Sequence, residues 1–197
     1  LKQLWNYLHS QPTGSEWSNR HLPTPGDDSF YYHAESLGSY LEAARQWVEQ
    51  GRTDLNGHQD AWIVEGNSPF VLKPESSDRP TNAILMVHGL TDSPFAMRDM
   101  AQFFHRKGFY VLAMQLPGHG TRPGDLLQIR WHDWVRAHQH LLDLLRHEAD
   151  NIYVLGFSAG AALSVYQALR NPLVKGMFLF APALSVTPLA RLMAPLS

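Results

Sequence analysis

Asn151-Ile152-Tyr153-Val154-Leu155-Gly156-Phe157-Ser158-Ala159-Gly160 decides how the rest of this 197-residue chain is read. Its first half is apolar and β-branched with no polar alternation, the pattern of a strand buried on both faces. The run that follows, 161–170, is rich in Ala and Leu, holds no Gly or Pro and stops at Asn171-Pro172, which predicts a helix. A serine with glycine two residues to either side, on a strand-to-helix turn, has the pattern of a nucleophile elbow. Gly156 and Gly160 lack β-carbons, so strand and helix can approach closely while the serine backbone takes a strained conformation. Ser158 Oγ is then lifted clear of the sheet, and the amides that open the helix offer positive potential to an oxyanion. The bare pattern arises by accident in roughly 0.07 of chains this long, where it would be a capping serine between packing glycines. The strand before it and the helix after it favour the nucleophile.

Working outward, two more apolar strands precede this one, 83–87 and 109–115, and a last one, 174–181, follows. Phe95, Met97, Met100, Ala101, Phe103 and Phe104 fall at helical spacing and predict a helix over 94–107, closed by Gly108. Trp134, His138, Leu141, Leu142 and Leu145 predict another within 131–149. Residues 61–73 read as two short strands around Gly66-Asn67-Ser68-Pro69. Upstream, Leu37, Tyr40, Leu41, Ala44, Trp47 and Val48 predict an amphipathic helix over 34–50, with Gly51 placed as its C-terminal cap. Residues 1–8 read as a short helix and the Pro/Gly-rich stretch to Gly26 as irregular. The expected organisation is an N-terminal extension, 1–58, whose one amphipathic helix packs on the core, and an α/β core, 59–197. Strands alternating with helices imply a mostly parallel sheet covered on both faces, with any ligand at the carboxyl ends of the strands. The loops at 88–94, 116–121 and 156–160 all fall there.

Composition narrows the classes of function. A net charge of −2 and a pI near 6.6 give no reason to expect nucleic acid or an anionic membrane as partner. The chain has no cysteine, which removes disulfides, thiolate chemistry and zinc–thiolate sites. That fits cytosol or periplasm. The cytoplasm is the expected compartment, and a periplasmic or anchored protein the alternative should a leader have preceded Leu1. His138 and His140, two residues apart on a predicted helix, point to different faces and do not make a metal pair.

Three motifs together resemble one family. His88-Gly89-Leu90-Thr91-Asp92-Ser93-Pro94 follows one strand, Leu116-Pro117-Gly118-His119-Gly120 the next, and Gly156 to Gly160 the third. In this they resemble the α/β-hydrolase superfamily, and within it the monoacylglycerol lipase, carboxylesterase and serine aminopeptidase branch, over roughly residues 60–185. Asp92 stands where that family usually has a second glycine. The resemblance implies Ser158 as the catalytic nucleophile and an oxyanion hole made by the backbone N–H groups of Leu90 and Ala159. It implies that His88 and His119 are structural, tying loops beneath the site together with Gly89, Gly156 and Gly160. It also implies no metal and no cofactor.

Enzymes of this fold present their triad in the order Ser, acid, His. The 39 residues after Ser158 contain no Asp, Glu or His. The expectation is therefore that the acid and base lie in a longer protein of which this is the N-terminal portion, with a partner chain or a base recruited from His88 or His119 as alternatives. The further strands of the fold would then cover the strand at 174–181, whose open edge otherwise invites self-association. The leading reading is a serine hydrolase of carboxylic esters working through a Ser158 acyl-enzyme. A peptidase or thioesterase of the same fold, or a catalytically inactive binding module, are the alternatives. Phe95, Met97 and Phe157 hint at a small-molecule ester with an apolar acyl group.

Overall fold

The computed structural model describes residues 21–55, 60–75 and 79–185. The short helix read at 1–8 and the first part of the Pro/Gly-rich stretch lie outside those residues. The elements run α1 (Phe30–His33), α2 (Leu37–Gly51), α3 (Asp60–Asn67), β1 (Phe70–Leu72), β2 (Asn82–Val87), a 3-10 turn (Pro94–Met97), α4 (Arg98–His105) and β3 (Tyr110–Met114). They continue through α5 (Pro123–Leu126), α6 (Trp131–Leu145), β4 (Asn151–Phe157), α7 (Ala159–Ala168) and β5 (Val174–Phe180). The sheet order is β1-β3-β2-β4-β5, with β1 antiparallel to β3 and every other pair parallel.

From Ala83 to Val87 in β2, and throughout β3, the residues are buried and largely apolar because both faces of the sheet are covered. Ala83, Leu85, Val87, Tyr110, Leu112, Met114, Ile152 and Val154 point to one face, where residues of α1, α2, α6 and α7 close the larger core. Ile84, Met86, Val111, Ala113 and Leu155 point to the other, against Met97, Ala101 and Phe104. α2 begins at Ser36, whose side chain accepts the Ser39 N–H at 3.1 Å while Ser39 Oγ accepts the Ser36 N–H at 3.0 Å. Such a cap contributes about 1 kcal/mol. The helix buries Leu37, Tyr40, Ala44, Trp47 and Val48 on the sheet face.

Four features depart from the sequence reading. Residues 61–67 form helix, not strand, so only β1 remains of the expected hairpin. Trp62, Ile63 and Val64 have strand propensity, but the segment is helical, with Asn67 Nδ2 donating to Ile63 O one turn back at 2.8 Å and Ser93 Oγ, at the head of the 3-10 turn, donating to Gly66 O at 3.0 Å. Gly51 is the last residue of α2 rather than a left-handed cap, and a β-carbon there would lie 2.5 Å from Thr121 Cγ2. It is a close-approach glycine. Phe95, in the 3-10 turn that precedes α4, and Phe103, within α4, are exposed. β5 is only half-covered, with Met177, Phe178 and Phe180 each about 40% exposed. Among the described residues no helix is long and apolar enough to cross a membrane.

Candidate active site

β4 ends at Phe157 and α7 begins at Ala159, so Ser158 alone makes the turn, at φ 53°, ψ −114°. Among the described residues only Ser158 and Ala181 are non-glycine residues with positive φ. Each such residue costs on the order of 1–3 kcal/mol and persists only where its surroundings hold it. Four hydrogen bonds hold Ser158. Its N–H donates to Phe180 O at 3.0 Å, and its carbonyl accepts from Ala161 (3.1 Å), Ala162 (3.2 Å) and Ala183 (3.1 Å). The Ala181 turn brings residues 180 and 183 to either side of the serine peptide, so both strained residues belong to one clasp. The glycines are required by proximity. A β-carbon on Gly156 would enter the backbone of Ala161, and one on Gly160 the carbonyl oxygens of Val87 and His88. The Ser158 hydroxyl is partly exposed and makes no hydrogen bond to a described residue.

The loop after β2 lies against this turn, since the Gly160 contacts put the start of α7 on Val87 and His88. His88 is fully buried. Its Nε2 accepts the Leu116 N–H at 3.2 Å, which places the proton on Nδ1, and Nδ1 donates to Gly89 O at 2.8 Å. Burial, with the neighbouring His119 adding to it, pulls its pKa down to about 3, so the ring is neutral. His119 Nε2 lies 2.7 Å from Leu90 O and Nδ1 3.2 Å from Pro117 O, while Trp134 Nε1 donates to the same Pro117 O at 3.0 Å. All four nitrogens of the two rings therefore face backbone groups, and none faces Ser158. Asp92 does not take up the left-handed conformation open to the glycine it stands for. Its N–H donates to Gly89 O at 3.2 Å, and its carboxylate would lie 2.8 Å from a β-carbon on Gly89.

Two amides are left over. Neither Leu90 N–H nor Ala159 N–H donates to a backbone carbonyl among the described residues. Ala159 opens α7, where first-turn amides have no intrahelical partner. A cavity of about 370 Å³ lies beside the turn, lined by Met97, Met100, Leu155, Phe157 and Phe180 with Asp92 and Ala96. A second, of about 480 Å³, shares Asp92 and Ala96 and is otherwise more polar, with Asn67, Thr91, Ser93, His119 and Arg122 in its wall. Phe95, grouped with Met97 and Phe157 from the sequence, lines this second cavity instead.

No described histidine or carboxylate hydrogen-bonds Ser158, and no three metal-ligating side chains cluster among the described residues. His138 is buried with neither ring nitrogen bonded among the described residues, and desolvation lowers its pKa to about 3. His140 is also lowered by desolvation. Trp131 is half-exposed and stacks on His132 at 3.7 Å. The residues that sequence reasoning missed are Phe180, Ala181 and Ala183, which grip the serine peptide from a strand end 22 or more positions away and carry no local motif.

A mostly parallel sheet with helices on both faces, its serine turn at the carboxyl end of β4, is the architecture of an α/β-hydrolase. The chain belongs to the serine aminopeptidase S33 family (Hydrolase_4), whose family model matches residues 78–197. A thermostable monoacylglycerol lipase of Bacillus sp. (strain H-257) is 29% identical over 128 residues, 65% of this chain and 49% of that protein. A carboxylesterase of Bacillus subtilis (strain 168) is 26% identical over 106 residues, 53% of this chain and 43% of that one. Among solved structures, one reported for the metagenome-derived lipolytic enzymes LipS and LipT superposes with a TM-score of 0.57 at 30% identity, covering 62% of this chain and 49% of the other. Est1E from Butyrivibrio proteoclasticus, with ferulic acid bound, shares the fold at 17% identity and a TM-score of 0.51, covering 58% of this chain and 48% of its own. The chain spans about half the length of the curated relatives it matches.

Proposed function

We propose that Ser158 is the nucleophile of a serine hydrolase acting on carboxylic esters, with Leu90 and Ala159 N–H groups as its oxyanion hole. The observation that carries this reading is the strained Ser158 turn, its hydroxyl unbonded among the described residues, with the loop after β2 packed on the start of α7 and the Leu90 and Ala159 N–H groups donating to no backbone carbonyl among those residues. Ser158 Oγ attacks the ester carbonyl carbon and its proton passes to a general base. The carbonyl oxygen becomes an oxyanion and receives the two N–H groups, and the intermediate collapses to release the alcohol, which takes that proton. Water then attacks the acyl-enzyme by the same route and frees the acid. The base is neither His88, bonded to Leu116 and Gly89, nor His119, whose ring nitrogens face the carbonyls of Leu90 and Pro117 rather than Ser158. The apolar cavity beside Phe157 favours an aliphatic acyl group, and the lipase and carboxylesterase relatives favour esters over amides.

A fluorophosphonate probe tests the proposal on the complete gene product. A covalent adduct on Ser158, and loss of ester turnover in Ser158→Ala, are the expected results. Turnover that survives Ser158→Ala overturns it. A binding module that keeps the fold without the chemistry is the second reading, favoured by the absence of any described base at Ser158. It predicts no labelling.

A further inference from the structure

The segment before residue 78 lies outside the family match, yet it reaches the candidate oxyanion loop through a chain of buried hydrogen bonds. Tyr40 of α2 is fully buried. Its phenol accepts the Gln115 N–H at 3.1 Å and lies 3.5 Å from Gln115 O, at the point where β3 gives way to the 116–121 loop. Gln115 is also fully buried, and its Nε2 donates to His119 O at 2.7 Å. His119 in turn holds Leu90 O at 2.7 Å. Each link is a short polar contact in a site without exposed alternatives, so displacement of one is passed to the next. The same loop is fastened to the N-terminal segment at its far end. Arg122 Nε donates to Gly51 O at 2.8 Å, Arg52 Nη1 donates to Gly120 O at 3.3 Å, and the buried Asp125 accepts from Thr24 and Thr121.

We propose that Tyr40 is a positioning residue for the Leu90 amide, acting through Gln115 and His119. The inference rests on the reading of Leu90 as an oxyanion donor. The phenol hydroxyl fixes the backbone of Gln115, Gln115 fixes the backbone of His119, and the His119 ring fixes the Leu90–Thr91 peptide, which joins through the Leu90 Cα the Gly89–Leu90 peptide that carries the Leu90 N–H. Tyr31 supplies an internal control. It sits in the same core cluster, equally buried, but its hydroxyl has no partner among the described residues.

The test compares Tyr40→Phe with Tyr31→Phe in the complete gene product. Each removes one buried hydroxyl and keeps the ring. Tyr40→Phe is expected to lower kcat roughly three- to thirtyfold with KM within about twofold, the range of couplings that pass through packed networks. Fluorophosphonate labelling should slow by the same factor, and amide hydrogen exchange across 88–92 should quicken. Tyr31→Phe should change none of these. Gln115→Met, which keeps the volume and removes the Nε2 donor, should fall in the same range and serves should Tyr40→Phe fold poorly. In His119→Ala the Tyr40→Phe change should add less than about twofold, because the two act in series. Wild-type kcat in Tyr40→Phe overturns the proposal, as does an equal loss in Tyr31→Phe or full additivity with His119→Ala. In those cases Ser158 still labels and the hydrolase reading stands. A wild-type protein that does not label overturns both.

Discussion

Gly160→Ala places a methyl group where α7 rests on the carbonyl oxygens of Val87 and His88. The added β-carbon would lie 2.5 Å from His88 O, against an ordinary contact of 3.4 Å or more, so about 1 Å of movement must be found. Neither neighbour can yield alone. Both are backbone at the end of a central strand paired on each side, and the carbonyls cannot swing without breaking the sheet's end. The cost of overpacking, about 1–3 kcal/mol, is offset by up to ~1 kcal/mol of helix propensity gained on replacing Gly by Ala. The net is on the order of 1–2 kcal/mol of lost stability, or a Tm lower by about 2–8 °C for a chain of this size. The movement falls between Ala159 N–H and Leu90 N–H, so turnover should suffer more than stability, by about 10²-fold for 1 Å of misplacement. Gly38→Ala is the comparison. Its added carbon meets only Ser36 Oγ, at 3.7 Å, in an exposed part of α2, so it should raise Tm by a degree or two. Thermal unfolding followed by circular dichroism, with ester turnover on the same samples, reads both effects. A Gly160→Ala protein as stable and as active as wild type would refute the reasoning from contact distance.

The two buried histidines make stability depend on acid. With folded pKa values of about 3 against 6.5 unfolded, the unfolded chain binds more protons between those values, so the stabilisation present above pH 6.5 is lost as pH falls towards 3. His138→Leu should therefore lower the pH of acid unfolding, and an unchanged midpoint by fluorescence would count against it. Residues 1–197 expressed alone should associate in proportion to concentration, because β5 has no strand on its outer side among the described residues and exposes Met177 and Phe178. Light scattering should show Phe178→Lys shifting the population towards monomer, and a monodisperse wild-type monomer would contradict the expectation. On the complete gene product, a chain-length series of p-nitrophenyl esters should favour octanoyl over acetyl if the cavity lined by Met97, Met100 and Leu155 holds the acyl group. A preference for acetyl would assign that cavity elsewhere.

The legible parts of this fold were those whose causes are local. Gly156 meets Ala161 five residues on, and Gly160 meets a strand end that any parallel βαβ crossing must place there, so three residues of motif announce a three-dimensional contact. β2 and β3 were legible because burial on both faces leaves no charged or amide side chain between Ala83 and Val87 or between Tyr110 and Met114 to blur the pattern. α3 was illegible for the opposite reason. Its Trp62-Ile63-Val64 core favours strand, while its packing on the 3-10 turn, where Gly66 O accepts from Ser93 Oγ, joins residues 27 positions apart.

The supports of the candidate site divide along the same line. Ser158, Leu90 and Ala159 sit in short motifs, whereas what holds them comes from Phe180 and Ala183, from His119, and, 75 residues before Gln115, from Tyr40. A strained serine turn cannot hold itself: the cost at Ser158 and Ala181 is met by bonds that cross between strands. In this chain the proposed nucleophile is therefore written locally and its geometry is not. Substitutions outside the motifs, at Tyr40 or Gln115, should accordingly alter kcat while leaving every recognisable motif intact.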